Sequence, residues 1–166
     1  MKRVVVTGLG LVTPLGCGVN HSWDNLLSGI SGVKKITKFD PINHKCKVAC
    51  EVPLGSAIDG KFNPEEWIEK KEIKKIDDFI QFSMAASEQA FLDSKIQIST
   101  ELSFRSGAII GSGIGGLPGI ERAALDYYVN KKKISPFFIT GRLINMAAGY
   151  ASLKYNLKGP NYATVS

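Results

Sequence analysis

A glycine run, four lysines at helical spacing, three cysteines and two histidines are the residues of this chain whose types and spacing could do chemistry. Gly111, Gly113 and Gly116 fit G-x-G-x-x-G behind the apolar residues 106–111. Such a turn can hold a pyrophosphate on the following helix N-terminus. A dinucleotide site also needs a carboxylate about 20 residues on to grip a ribose. Here that region reads Lys131-Lys132-Lys133-Ile134-Ser135-Pro136, so a tight strand-to-helix turn is the better reading. His44, Cys46 and Cys50 fall short of a zinc set, which takes four ligands, and His21 is the only other histidine. Alternation over residues 45–52 already accounts for both cysteines as small apolar residues on a strand face. No metal site is expected, and no cofactor. Cys17 follows Leu15-Gly16 without an evident activator. With both histidines early in the chain, no catalytic residue is assigned within it.

Lys70, Lys71, Lys74 and Lys75 recur at one-turn spacing, so several ammonium groups share a helix face. On the residues alone this is a solvated surface, the alternative being a docking patch for an acidic protein. Lys131 to Lys133 read the same way, and no interleaved aromatics suggest single-stranded nucleic acid.

The elements that must position these groups alternate between strand and helix. Residues 3–7 read as a short buried valine-rich strand ended by glycines. Asn20 is placed to cap a helix bearing Trp23, Leu26 and Leu27, with Gly29 as its stop. A strand is expected over residues 45–52, closed by Pro53, then a short helix opened by Asn63-Pro64. Phe79, Phe82, Ala86 and Ala90 predict a longer helix. A buried strand over 106–111 leads to a helix from Leu117. Leu143, Met146, Ala147, Tyr150 and Ala151 stripe another helix before Gly159-Pro160. The order predicts an α/β layered fold with a largely parallel sheet.

Length and composition allow one globular domain: 166 residues, 44% hydrophobic and 22% charged. The net charge of +6 points to an acidic partner, which on charge alone is nucleic acid, an anionic membrane or an acidic protein. Three cysteines make a poor disulfide framework and favour a reducing cytosol. Lys2-Arg3 and the apolar run to Leu15 imitate a signal peptide, but Gly8, Gly10, Thr13, Pro14 and Gly16 interrupt it. No stretch approaches the ~20 apolar residues of a membrane span.

Val4-Val5-Val6-Thr7-Gly8-Leu9-Gly10 with Thr13-Pro14-Leu15-Gly16 resembles the opening of the β-ketoacyl-acyl-carrier-protein synthases. Trp23, Leu26-Leu27, Gly29-Ile30-Ser31-Gly32, Phe39-Asp40 and Asp77-Asp78-Phe79-Ile80-Gln81-Phe82 continue the likeness. Ile110-Gly111-Ser112-Gly113-Ile114-Gly115-Gly116-Leu117 and Lys133-Ile134-Ser135-Pro136-Phe137-Phe138 are similar to the synthase II type. The resemblance runs the whole length and implies the leading portion of such an enzyme.

It implies a thiolase-like layered α/β fold, here residues 1–166 as an incomplete N-terminal half ending before the nucleophile turn. The intact family member is a cytoplasmic acyltransferase, usually a homodimer. It condenses acyl thioesters with malonyl-carrier protein in fatty-acid elongation, binding neither nucleic acid nor membrane. The strand matching residues 161–166 implies an Ala-Cys turn, its cysteine two positions after Ser166, with two histidines supplied later. The chain as given is therefore expected to be inactive alone. Lys71, Lys74 and Lys75 match positions that meet acyl carrier protein. Ile114 matches a gate in the acyl pocket, and Phe138 lines the same pocket. Thr140-Gly141-Arg142 departs from the family pattern by placing a charge near an apolar pocket. Two other readings stand beside this one: a non-catalytic module binding carrier protein or a companion chain, and a nucleotide-binding domain using the glycine run.

Overall fold

A computed structural model describes residues 3–165. Strands β1 (Val12–Thr13) and β2 (Gly16–Cys17) pair antiparallel, and helix α1 (Val19–Leu27) follows at once. A second antiparallel pair joins β3 (Lys34–Lys35) to β4 (Val48–Ala49). Two 3₁₀ turns, Ala57–Asp59 and Pro64–Glu66, lead to the short helix α2 (Lys70–Ile73) and the long helix α3 (Asp78–Ser94). Then come α4 (Thr100–Arg105), β5 (Ala108–Ile109), α5 (Leu117–Tyr128), α6 (Met146–Tyr155) and β6 (Asn161–Tyr162).

β5 and β6 are parallel, Ala108 opposite Asn161 and Ile109 opposite Tyr162. Ladder-like bonds continue outside the named strands, from Ala108 N to Pro160 O at 3.0 Å, Ile110 N to Tyr162 O at 3.2 Å and Ser112 N to Thr164 O at 3.1 Å. Helix α6 packs on this pair, and α3 packs in turn on α6. Ile68, Ile76, Ile80, Met84 and Ala147 form the main core, and Ala108, Ala148 and Ala151 a smaller cluster under the sheet. The alanines let α6 approach the strands closely, while a fully buried isoleucine such as Ile80 contributes ~1.5–3 kcal/mol.

Several sequence expectations hold. The helix from Leu117, the Asn63 cap on Glu65 N (3.1 Å) and the Gly29 stop at φ +68° are all present, but the largely parallel sheet is met only in β5–β6, the other two pairs being antiparallel. The α3 stripe is broader than its sequence spacing suggested. Ile80, Gln81, Met84 and Ala85 are the buried residues, while Phe79 and Phe82 are half-buried, Phe82 meeting Phe62 edge-on at 5.1 Å.

Other expectations need correction. The buried strand over 106–111 shrinks to Ala108–Ile109 with Ile109 67% exposed, and Leu143 lies exposed before α6 begins at Met146. Residues 3–7 form no strand, and Val4 and Val6 are 92% and 79% exposed. A valine run becomes a buried strand only with a paired edge and a covering layer, and this run has no ladder among the described residues. The chain just beyond it is held by side chains of α3 instead. Leu9 N donates to Asp93 at 2.9 Å and Leu11 N to Gln89 at 3.0 Å. Gly8 and Gly10 allow this approach, since a Cβ on either would run into the Ala90 or Ala86 carbonyl.

The expected strand over 45–52 shrinks to Val48–Ala49, and Cys46 and Cys50 are exposed, because no layer lies over this two-stranded hairpin among the described residues. Asn20 is not the cap of α1. Gly18, at φ +104°, occupies that position and starts the helix at Val19. The reading of residues 161–166 as a strand is met at Asn161–Tyr162, and its last residue, Ser166, lies outside the described residues, as does Lys2.

Candidate functional site

The charged residues gather where α2, α3, α5 and the loop before α6 meet. Asp77 stands immediately before α3, yet its carboxylate does not cap that helix. It accepts from Gly119 N, in the first turn of α5, at 3.0 Å, and pairs with the Arg142 guanidinium at 3.5 Å. Arg142 Nη1 also donates to Lys75 O at 2.9 Å and Phe137 O at 3.4 Å. Gly141 O accepts from Asp77 N at 3.0 Å. Three elements are thus tied by one ion pair and its backbone partners. Gly119 and Gly141 are required here, since a Cβ would strike the Asp77 carboxylate or the Lys75 carbonyl. Burial pushes the Asp77 carboxyl up, against the pull of Arg142 and the Gly119 N–H.

This clamp forms the wall of a cleft of about 370 Å³. Lys38, Lys74, Arg122 and Arg142 line it against Asp77 and Asp78, four cations to two carboxylates and so a surplus of two positive charges. Lys38 is bound to Asp78 at 3.0 Å and Arg142 to Asp77, leaving Lys74 and Arg122 without a carboxylate partner among the described residues. The arrangement can attract and orient an anionic group. Among the described residues no His/Cys/Asp/Glu cluster of metal-binding size occurs.

The four lysines singled out in the sequence separate. Lys70 pairs with Glu65 at 3.1 Å and Lys71 with Glu69 at 2.7 Å, both on the open surface. Lys75 turns inward, bound to Glu72 at 2.6 Å with its ammonium 4.7 Å from the centre of the Phe137 ring. Lys74 alone of them faces the cleft. Ile114 is 64% exposed on the glycine turn, and Phe138 is half-buried with the Arg142 guanidinium 6.0 Å from its ring centre. None of the described cavities is lined by both.

Arg142 is therefore not a bare charge in an apolar pocket. Its head is engaged by Asp77 and two carbonyls, and only its Nε lacks a partner among the described residues. Sequence reasoning missed the clamp and the contributions of Lys38 and Arg122. The available signal was a lone arginine in the apolar run 137–147, which demanded a carboxylate from elsewhere.

The glycine run behaves as a structural turn. Ser112 N donates to Thr164 O, Gly115 N to Ser112 Oγ at 3.1 Å and Gly116 N to Arg142 O at 3.0 Å. Those amides are committed to protein acceptors and unavailable to a phosphate. Cys17, half-buried, accepts from Gln89 Nε2 at 3.5 Å, and burial pushes its thiol up, the opposite of an activated nucleophile.

Comparison with known proteins gives one consistent answer. The family described as beta-ketoacyl synthase, N-terminal domain, matches residues 1–166. A 3-oxoacyl-[acyl-carrier-protein] synthase 2 of Rhizobium meliloti is 46% identical over 170 residues, covering 100% of this chain and 40% of that protein. Its counterpart in Coxiella burnetii is 46% identical over 167 residues, covering 99% and 38%. The ishigamide ketosynthase/chain length factor superposes with a TM-score of 0.73 at 23% identity, over 97% of this chain and 38% of that one. A ketosynthase solved in complex with its type II PKS acyl-carrier protein gives 0.72 at 22% identity, over 98% and 41%. The fold is that of these thiolase-like ketosynthases, and the chain spans about 40% of the length of the curated relatives it matches. It belongs to the β-ketoacyl synthase family, along the whole of residues 1–166.

Proposed function

We propose that residues 1–166 form part of the N-terminal half of a β-ketoacyl-acyl-carrier-protein synthase II. In this reading the segment meets the carrier protein and helps wall the acyl pocket of a fatty-acid-elongating acyltransferase. The observation that carries it is the cationic cleft beside Lys74, set in a chain whose relatives bear that enzyme's name.

The reaction transfers an acyl group from the carrier thioester to a cysteine thiolate, releasing the carrier thiol. Malonyl-carrier protein then loses CO₂, and its carbanion attacks the acyl-cysteine thioester. A carbon–carbon bond forms and the thiolate leaves. The cysteine and two histidines for these steps are expected outside the 166 residues. This segment contributes binding. Lys71 and Lys74 meet the acidic carrier protein, and Lys75 joins them by leaving Glu72 and the Phe137 ring; carrier carboxylates compete with Glu69 for Lys71 and with Glu72 for Lys75. Each exposed pair contributes only ~0.2–1 kcal/mol, so steering outweighs affinity. Ile114 and Phe138 contact the acyl chain. The enzyme is a cytoplasmic homodimer that needs no cofactor. Among the described residues no helix is long and apolar enough to cross a membrane.

The test is a condensation assay of the purified chain with acyl- and malonyl-carrier proteins, run beside a carrier-binding titration. Binding without product is expected; turnover above background overturns the division of labour. A non-catalytic, companion-chain reading draws on the apolar side chains left on the surface, among them Val4, Ile109 and Leu153. Restoration of turnover by a separately expressed second chain would favour it.

A further inference from the structure

The β3–β4 hairpin carries a charge pattern that α2 does not account for. Between residues 33 and 49 stand Lys34, Lys35, Lys38, Lys45 and Lys47, with Asp40 as the only acidic residue. Asp40 uses Oδ1 on Ile42 N at 3.1 Å. Glu51, the next carboxylate along the chain, accepts from Thr37 N at 3.1 Å and Lys38 N at 3.2 Å. Lys34, Lys35, Lys45 and Lys47 are exposed, and none has a carboxylate partner among the described residues.

The pairing concentrates this charge. Lys34 lies opposite Ala49, and the Ile36 N to Lys47 O bond of 3.0 Å carries the ladder one step further. Lys34 and Lys47 are therefore diagonal neighbours on one face, where like charges repel unless an anion lies across them. The connecting loop is built rather than loose. Pro41 is buried, Asp40 closes a turn, and Phe39 meets His44 edge-on at 5.3 Å. Lys38, on the same hairpin, lines one cleft with Lys74. The hairpin thus reaches that concavity through Lys38, and α2 through Lys74.

We infer that this hairpin is a second arm of the docking surface and, with Lys74 opposite, grips an acidic protein between the two. The inference rests on the carrier-protein reading above and names a contact which that reading lacks. The hairpin's own cations are all lysines, point charges rather than forks for phosphate. A concave, two-armed surface suits a protruding acidic protein better than a flat bilayer.

The test measures purified acyl carrier protein binding by fluorescence anisotropy. Variants are Lys34→Glu with Lys47→Glu, Lys45→Glu (outside the ladder, so the hairpin is untouched), Lys74→Glu, and the charge-matched control Lys131→Glu with Lys133→Glu. The hairpin double variant is expected to weaken binding about tenfold at low salt, with Lys45→Glu weaker in the same sense. The difference should shrink severalfold at ~0.5 M salt, and the control should stay within about twofold of the parent. Unchanged binding in both hairpin variants, with Lys74→Glu still weakened, overturns the inference and leaves the proposed function standing. Equal weakening in the control overturns it too, since net charge would then suffice. If no variant changes binding, the carrier-protein reading itself falls. Loss of binding to phosphatidylglycerol vesicles alone would reassign the hairpin to a membrane and overturn the inference.

Discussion

Replacing Arg142 by leucine removes one side chain that joins three elements. Its guanidinium pairs with Asp77 at 3.5 Å and donates to the carbonyls of Lys75 and Phe137. Both charged side chains are well covered, at 18% and 15% exposure, so solvent screens the pair only in part. Leucine matches much of the stem's volume but leaves the Asp77 carboxylate with Gly119 N as its remaining close partner. Breaking a fully buried pair costs ~3–5 kcal/mol, and a charge-assisted hydrogen bond is worth ~1.5–3 kcal/mol. For this partly covered pair a loss of ~2–3 kcal/mol is expected. Asp77→Asn keeps an acceptor for Gly119 and should lose less. Urea denaturation of the two variants beside the parent provides the measurement.

The pH dependence adds a second readout. Because the folded Asp77 carboxyl sits above its usual value, its protonated form favours the fold. That contribution is complete below the unfolded pKa and is lost as pH rises through the folded pKa. Without Arg142 the shift grows, so the variant should lose more stability than the parent over that rise. A loss under about 0.5 kcal/mol, or a pH profile unchanged from the parent, refutes the reasoning.

Three further outcomes are expected. Glu88 is held below the usual carboxylate range; burial opposes its charge, but the Lys154 ammonium at 2.8 Å and the Tyr155 hydroxyl outweigh it. Its stabilisation is lost as pH falls through the folded pKa, so Glu88→Gln should flatten the acid limb of a stability–pH curve. Gly10→Ala drives a methyl toward the Ala86 carbonyl and should cost ~1–3 kcal/mol or more, read as a lower Tm. Iodoacetamide should alkylate Cys46 and Cys50 well before Cys17, whose half-buried thiol is pushed up by burial; peptide mass mapping over time tests the order.

What the sequence disclosed depended on how local the determining physics was. Helix α3, the turn at residues 111–116 and the cap at Asn63 follow from spacing and residue type, and each is present. Residues 3–7 failed because a strand needs an edge to pair with, which composition does not supply. Cys46 and Cys50 alternate as expected but lack a covering layer. The lysine face at 70–75 was visible, yet its division into paired Lys71, inward Lys75 and cleft-facing Lys74 was not. That division depends on Glu69, Glu72 and Phe137, and the last is distant in the chain. The Asp77–Arg142 clamp spans a still longer gap, and only tertiary structure joins its ends.

The parallel join between β5 and β6 bears on how this polypeptide acquires its shape. Ala108 and Pro160 meet across about fifty intervening residues, a closure whose entropy must be lost before any ladder bond repays it. Helix α3 can nucleate locally and early, whereas the amides of Ala108, Ile110 and Ser112 wait for the chain to return. During synthesis on the ribosome that edge stays unpaired until residue 160 has emerged, and an unpaired apolar edge invites mispairing with other chains.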